Sequence, residues 1–327
     1  MEKEEQFLHQ LLTVIITTSP VKSNPSTEMI DAVRESFKLI EGLWKCPQIV
    51  VADGYRLVDK SSEKSGKVTP ELAERYKAFL SNLERQLEEE KRVYGVERKL
   101  FKKETRCGFA ENLKFSLTAA KTPFVMVVQH DQAFFRPLNG VSIMDVLYTM
   151  INHEEIKYIG LMSRSDQNYD KRHYSLQDYQ LFREDYSMFI RDFVRHTGSR
   201  NWQEMVSTYG EDYSKYLLYT RMKYGLPLMP LDFWYDKPHV VKRDVYLDFV
   251  FGQTHFNYQT GTSVEVTNFV EDSLGNVMKS NIKRHGMCAF NLYGCYSLYD
   301  EPDVPLVGHL DGRHFLTIEK KRQLHSS

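Results

Sequence analysis

Charge of one sign is what this chain most conspicuously lacks. Its 327 residues carry 43 Lys and Arg against 44 Asp and Glu, for a formal net charge of -1. There is thus no overall basic field of the kind that holds duplex nucleic acid by its phosphates, and nucleic acid is disfavoured as the main partner. Long apolar runs are missing as well. The longest are strand-sized, far short of the roughly 20 residues a membrane helix needs, and the opening MEKEEQ is acidic where a secretory leader is basic. The expectation is a cytoplasmic protein with no membrane span. Cysteine is sparse, and Cys46, Cys107, Cys288 and Cys295 make no CxxC pair, which argues against a zinc ribbon and for reduced, mostly structural thiols. Neither an internal repeat nor a low-complexity tract is present.

What the chain has in quantity is apolar and aromatic side chains. A composition 42% hydrophobic and 27% charged is that of an ordinary globular protein long enough to bury a sizeable core, read here as a single domain over residues 1–327. The 20 Tyr, 19 Phe and 3 Trp are core residues first, with some left over to line a cleft for ring-shaped ligands.

Periodicity gives the order of elements. Residues 11–16 read as a buried strand ending in Thr17, Thr18, Ser19 and Pro20. Ser26 or Thr27 then offers a cap for a helix whose Met29, Ile30, Val33, Phe37 and Ile40 recur at helical spacing, ended by Gly42. Residues 48–52 form a second strand, ending at Asp53 and Gly54, so the chain opens β-α-β. After a polar loop over 58–68, Thr69 and Pro70 start a long helix to about residue 90. A short strand in 93–101, a helix over 110–120, a helix over 143–152 and a strand over 156–162 continue the alternation. Residues 166–224 are crowded with Tyr, Arg, Asp and His and read as a helical or looped insertion; 226–235 reads as a turn region, and 245–251 as a strand.

At the centre of this order lies TPFVMVVQHDQAFFRP, residues 122–137. Its apolar run from Phe124 to Val128 stops at Gln129, His130 and Asp131, the pattern of a parallel strand buried on both faces. In open α/β sheets ligands bind beyond the carboxyl ends of such strands. Asp131 is therefore expected at a sheet end, facing a ligand.

Set in order, TTSP after strand one, ADG after strand two, the Gly108 to Asn112 turn and the strand ending in QHD resemble nucleotide-sugar-dependent glycosyltransferases of the GT-A fold, nearest the family-two type. The resemblance covers most of the chain. It implies an α/β, Rossmann-like, mostly parallel central sheet flanked by helices, with residues 1–165 as the nucleotide-sugar-binding half and 166–327 as the acceptor-side half. It further implies that Thr17, Thr18, Pro20 and Asp53 meet the nucleoside, and that Gly108, Asn112, Gln129 and His130 belong to the donor site. The family's metal motif is DxD, whose carboxylates hold Mn²⁺ or Mg²⁺ against the donor diphosphate. Here the triplet is Gln129, His130, Asp131, so Asp131 carries the carboxylate ligation, and Gln129→Asp is expected to tighten cation binding.

Val270, Glu271 and Asp272 resemble the family's xED motif, in which a carboxylate takes the proton of the acceptor hydroxyl. Asp272 is the implied base and Glu271 the alternative. The late His of the family matches His309 in GHLDGRHF, with His314 as competitor and Arg313 as a possible phosphate clamp. The function implied is inverting, metal-dependent hexosyl or deoxyhexosyl transfer from a nucleoside-diphosphate sugar to a carbohydrate or glycoconjugate. Two rivals stand beside it. A sugar-phosphate nucleotidylyltransferase would share the architecture but carries a Gly-rich loop after strand one, and TTSPVKSNP has no glycine. A non-catalytic nucleotide- or carbohydrate-binding protein of the same fold is favoured by Gln129 and disfavoured by the acidic pair.

Overall fold

A computed structural model describes residues 2–61, 66–161, 163, 220–301 and 305–310. The chain begins with α1 (Glu2–Leu11), where the sequence reading has only a polar lead. Leu8 explains it: buried to 1% exposure, it lies on the Gly42 turn and anchors the helix there. β1 (Leu12–Thr18) follows, buried along its length, then α2 (Glu28–Ser36) and β2 (Gln48–Ala52). β3 (Arg56–Leu57) and β4 (Lys67–Val68) pair as a small ribbon. α3 (Pro70–Tyr94) starts as expected, with Thr69 Oγ1 accepting from Leu72 N–H and Pro70 in the first turn. It runs past residue 90 to Gly95, so β5 (Arg98–Lys102) takes only the end of the strand expected over 93–101.

α4 (Phe109–Ala119), β6 (Phe124–Gln129), β7 (Gln132–Phe134), α5 (Ile143–Asn152) and β8 (Tyr158–Leu161) keep the alternation. Then come β9 (Leu228–Pro230), β10 (His239–Lys242), β11 (His255–Asn257), β12 (Thr262–Val264), α6 (Asn276–His285), α7 (Met287–Tyr293), β13 (Cys295–Leu298) and β14 (Val307–His309). Of the expected 166–224 insertion, only residues 220–224 fall within the described residues.

Eight strands form one sheet in the order β5-β2-β1-β6-β10-β8-β13-β9. This is the expected α/β architecture of a mostly parallel central sheet flanked by helices. β5, β2, β1 and β6 run parallel to one another, as do β8 and β13; β10 enters antiparallel between β6 and β8, and β9 antiparallel on β13. β6 is thus covered on both edges, and its Phe124 to Val128 are all buried. Each such side chain contributes about 1.5–3 kcal/mol of burial, which makes this strand a firm platform for side chains at its end. No described helix is long and apolar enough to cross a membrane.

Two sequence expectations need correction. Residues 245–250 are helical rather than a strand, because the buried members Tyr246 and Val250 lie four apart and face the core together, where a strand would bury alternate residues. Residues 228–230 are a buried strand rather than turn, held by pairing with β13.

β10 opens on a fully buried imidazole. His239 Nδ1 pairs with the Lys237 carbonyl at 2.5 Å and Nε2 with the Tyr246 hydroxyl at 2.6 Å, while its ring stacks on Tyr158. The neutral tautomer with Nδ1–H satisfies both contacts. Burial pushes the imidazole down to about 4, partly opposed by the Lys237 carbonyl. An unfolded chain takes up this proton near the ordinary value of about 6.5, whereas the folded one stays neutral, so stability is lost as pH falls from about 6.5 towards 4. We expect His239→Gln to flatten that acid limb by up to about 3 kcal/mol, read as the difference between wild-type and variant urea midpoints at pH 7 and pH 4.5.

Candidate active site

The antiparallel placement of β10 decides what stands beside the end of β6. His239 pairs with Val127, so the residues just before β10 run alongside those just after Val127. Asp236 thereby comes against Gln129, whose Nε2 donates to the Asp236 carbonyl at 2.9 Å.

From Gln129 the chain turns through His130 and Asp131 into β7. β14 returns from 178 residues away to pair with β7, His309 opposite Gln132. Leu310 N–H donates to the Asp131 carbonyl at 2.6 Å. His309 Nδ1 lies 3.2 Å from Asp131 Oδ2, and its Nε2 is 3.4 Å from the Gln132 amide nitrogen. The approach to β14 is fixed by Arg136, which forks onto the buried carboxylate of Asp300 at 2.6 and 3.0 Å, while Asn139 N–H donates to the same group. Burial alone would raise the Asp131 carboxyl, but the His309 hydrogen bond and the charge on His130 and His309 outweigh it and hold the group below its ordinary value.

Asp131 Oδ1 is buried and has no hydrogen-bond partner among the described residues. A carboxylate with a spare oxygen beside an imidazole suits a hard divalent cation that also takes oxygens from a phosphate-bearing ligand. Among the described residues no cluster of three or more His, Cys, Asp and Glu side chains stands ready to hold a metal without such a ligand.

A cleft of about 560 Å³, counting its open part, lies at the carboxyl ends of β1, β2 and β6. Of the residues expected in the donor site, Thr17, Thr18, Asp53, Gly108, Asn112, Gln129 and His130 line it. Pro20 is buried and does not. Asn112 is 2% exposed, and its Oδ1 has no partner among the described residues. Arg106, Phe109 and Phe269 also line the cleft and are absent from the expected set. Phe109 and Phe269 stack at 5.4 Å, and Ala110 N–H donates to the Asn268 carbonyl at 3.0 Å. These contacts bring the segment before Val270 to the cleft.

Asp53 turns out to be fully engaged within the protein. Its Oδ1 accepts from Gly54 N–H at 2.9 Å and Cys107 N–H at 2.8 Å, and its Oδ2 from Gly108 N–H at 3.1 Å. Behind it, a Cβ on residue 54 would sit 2.2 Å from the Thr105 carbonyl carbon, so only glycine lets the two backbones meet. Gly108, at φ +87, supplies the turn into α4. Asp53 is the anchor of the loop that carries Arg106.

The acidic pair occupies the wide helical turn 271–275 that leads into α6. Asp272 is exposed and Glu271 half-buried. Glu271 Oε2 accepts from Asp236 N–H at 3.2 Å, and Asp236 Oδ2 accepts from Glu271 N–H at 3.2 Å. Sequence reading missed Asp236, because WYDKP carries no motif and only the β6–β10 register brings it here. Burial, followed by the charges of Glu271 and Asp272, pushes its carboxyl up to about 8 against the opposing backbone hydrogen bonds. These surroundings favour the neutral form of Asp236 over the ionised one.

No family model matches this chain, and no curated protein does. Solved structures with a similar chain path include residues 1–349 of S. aureus TarS in complex with UDP-GlcNAc, at 15% identity and a TM-score of 0.29 over 47% of this chain and 34% of that one. GalNAc-T7 with UDP, GalNAc and Mn²⁺ is similar at 10% identity and 0.44, over 91% of this chain and 44% of that one. A putative glucose-1-phosphate thymidylyltransferase from Bacillus anthracis is similar at 13% and 0.30, over 47% and 56%. This chain therefore spans about half or less of the length of these proteins. Each is a likeness in chain path, at identities where ligands and activities do not transfer.

Because Asp53 satisfies three backbone donors, we expect Asp53→Ala to lower stability by about 2–4 kcal/mol and to speed proteolysis at residues 103–108. Urea unfolding and limited digestion of the two proteins measure both effects.

Proposed function

We propose that this protein transfers a sugar from a nucleoside-diphosphate donor to the hydroxyl of a carbohydrate or glycoconjugate, with inversion, and works in the cytoplasm. The observation that carries the reading is the Asp131–His309 pair, with its buried unpartnered oxygen, standing at the strand end beside the cleft. The cleft supplies what a nucleotide needs: hydroxyl and backbone groups at Thr17 and Thr18, an unpartnered amide oxygen at Asn112, aromatic faces at Phe109 and Phe269, and the Arg106 guanidinium for phosphate. Asp131 and His309 would hold Mn²⁺ or Mg²⁺, which when bound offsets charge on the departing diphosphate.

Asp272 is the proposed base. It is exposed, and so within reach of an acceptor arriving from solvent, whereas the Glu271 carboxylate is already accepting from Asp236 N–H. In an inverting transfer the base removes the proton of the acceptor hydroxyl as that oxygen attacks the anomeric carbon from the face opposite the diphosphate. A second reading, a nucleotide-sugar-binding protein without transfer, draws support from Gln129, whose amide replaces the first motif carboxylate. The nucleotidylyltransferase alternative gains nothing from the loop after β1, which has no glycine over residues 17–25.

A thermal-shift panel of UDP and GDP sugars tests donor binding, since a ligand that binds only the folded state raises apparent stability. Mn²⁺ is expected to add to the shift in the wild type and to add nothing in Asp131→Asn or His309→Ala. A metal increment that survives both substitutions removes the pair from the donor site. For the chemistry, Asp272→Asn is expected to lower turnover by about 10²-fold or more with little change in donor affinity. If Glu271→Gln loses activity while Asp272→Asn keeps it, the base is one residue earlier. If neither substitution matters although donor binds, the binding-protein reading is correct.

A further inference from the structure

Position 129 holds an amide where the resembling family has the first carboxylate of its metal motif. The exchange adds one capability, because an amide can donate a hydrogen bond and a carboxylate cannot. That capability is in use: Gln129 Nε2 donates to the Asp236 carbonyl. Asp236 is in turn bonded to Glu271 in both directions, N–H to carboxylate and carboxylate to N–H. The arrangement is the reciprocal box that closes helix starts, built here between residues 35 apart in the chain. Asp236 at its centre is 4% exposed, while its partners Gln129 and Glu271 are half-buried.

We propose that Gln129 and Asp236 form a latch that fixes the acidic pair Glu271–Asp272 relative to the strand-end Asp131, and that position 129 is this tether rather than a cation ligand. What the acidic pair does rests on the transferase reading; the latch does not. Asp236 and Gln129 are positioning residues, acting through Glu271. A carboxylate at 129 would meet the Asp236 carbonyl acceptor to acceptor. The gain from a second charged ligand would therefore come at the expense of the turn that carries the acids.

The test reads amide hydrogen exchange in the full-length, nucleotide-free chain. Gln129→Met keeps length and burial but removes the donor, and exchange across residues 270–273 should quicken by about tenfold or more while β1 and β2 stay as in the wild type. Asp236→Ala should do the same. Asp236→Asn keeps an acceptor for Glu271 N–H and should exchange like the wild type. Should Gln129→Met not fold, the contrast between Asp236→Ala and Asp236→Asn decides in its place. Wild-type exchange in Gln129→Met, or in Asp236→Ala, overturns the latch.

Mn²⁺ alone, titrated into Gln129→Asp, supplies an independent arm. The latch expects no tightening together with faster exchange at 270–273, whereas binding about tenfold tighter with unchanged exchange would make position 129 a ligand position and sink the proposal. In turnover, Gln129→Met is expected to lower kcat by about tenfold or more, with donor KM within about threefold. A wild-type protein that transfers no sugar from any donor ends the transferase reading, and the exchange comparison still decides the latch.

Discussion

The pairing of β10 against β6 is the contact on which the site depends. A parallel strand in that place would have put the start of β10 at the far end of the sheet from Gln129. Run antiparallel, it delivers Asp236 to the cleft end of β6 and seats His239 beneath it. The turn over 271–275 is then fixed through Asp236, so one strand's direction sets the place of an acidic pair that is distant in the chain. Register matters as much as direction, because a shift of one residue would point Gln129 and its neighbours to the opposite face.

Buried titratable groups crowd around this contact, and each is handled differently. His239 is neutral because two well-placed partners suit the neutral ring and burial disfavours the charged one. Burial and the acids on the neighbouring turn favour the protonated form of Asp236. Asp131, despite burial, is kept ionised by histidines that reach it from two elements. The three groups thus differ in which protonation form their surroundings favour.

Much of this could be read from the sequence, and the parts that could not have a common cause. β1, β2, β6 and α5 follow from apolar runs and helical spacing, and Thr69 with Pro70 marks the start of α3. The meeting of Asp131 and His309 was accessible through motif order, although the β7–β14 ribbon that brings them together has no local signal. Residues 245–250 misled because VYLDFV is rich in strand formers, and its helical burial at 246 and 250 depends on what packs over it. Asp53 was legible as a strand-end acid but not as a loop anchor, since its partners come from residues 107 and 108. Asp236 was illegible for the same reason: what defines it is a register between strands, and a register leaves no mark on composition or spacing.

The covered position of β6 has a cost during synthesis. Its parallel neighbour β1 lies upstream and is already made when β6 emerges, but the strand that closes its other edge begins only after residues such as Asp236, 107 positions beyond Gln129. Until then FVMVVQ presents a free, apolar, β-branched edge, the type of template that recruits other chains. A strand that is covered on both edges in the finished fold is thus open along one of them until β10 is made. Expression that slows or stalls within the long 162–227 stretch, or a truncation placed there, should therefore favour aggregation over a soluble half-domain.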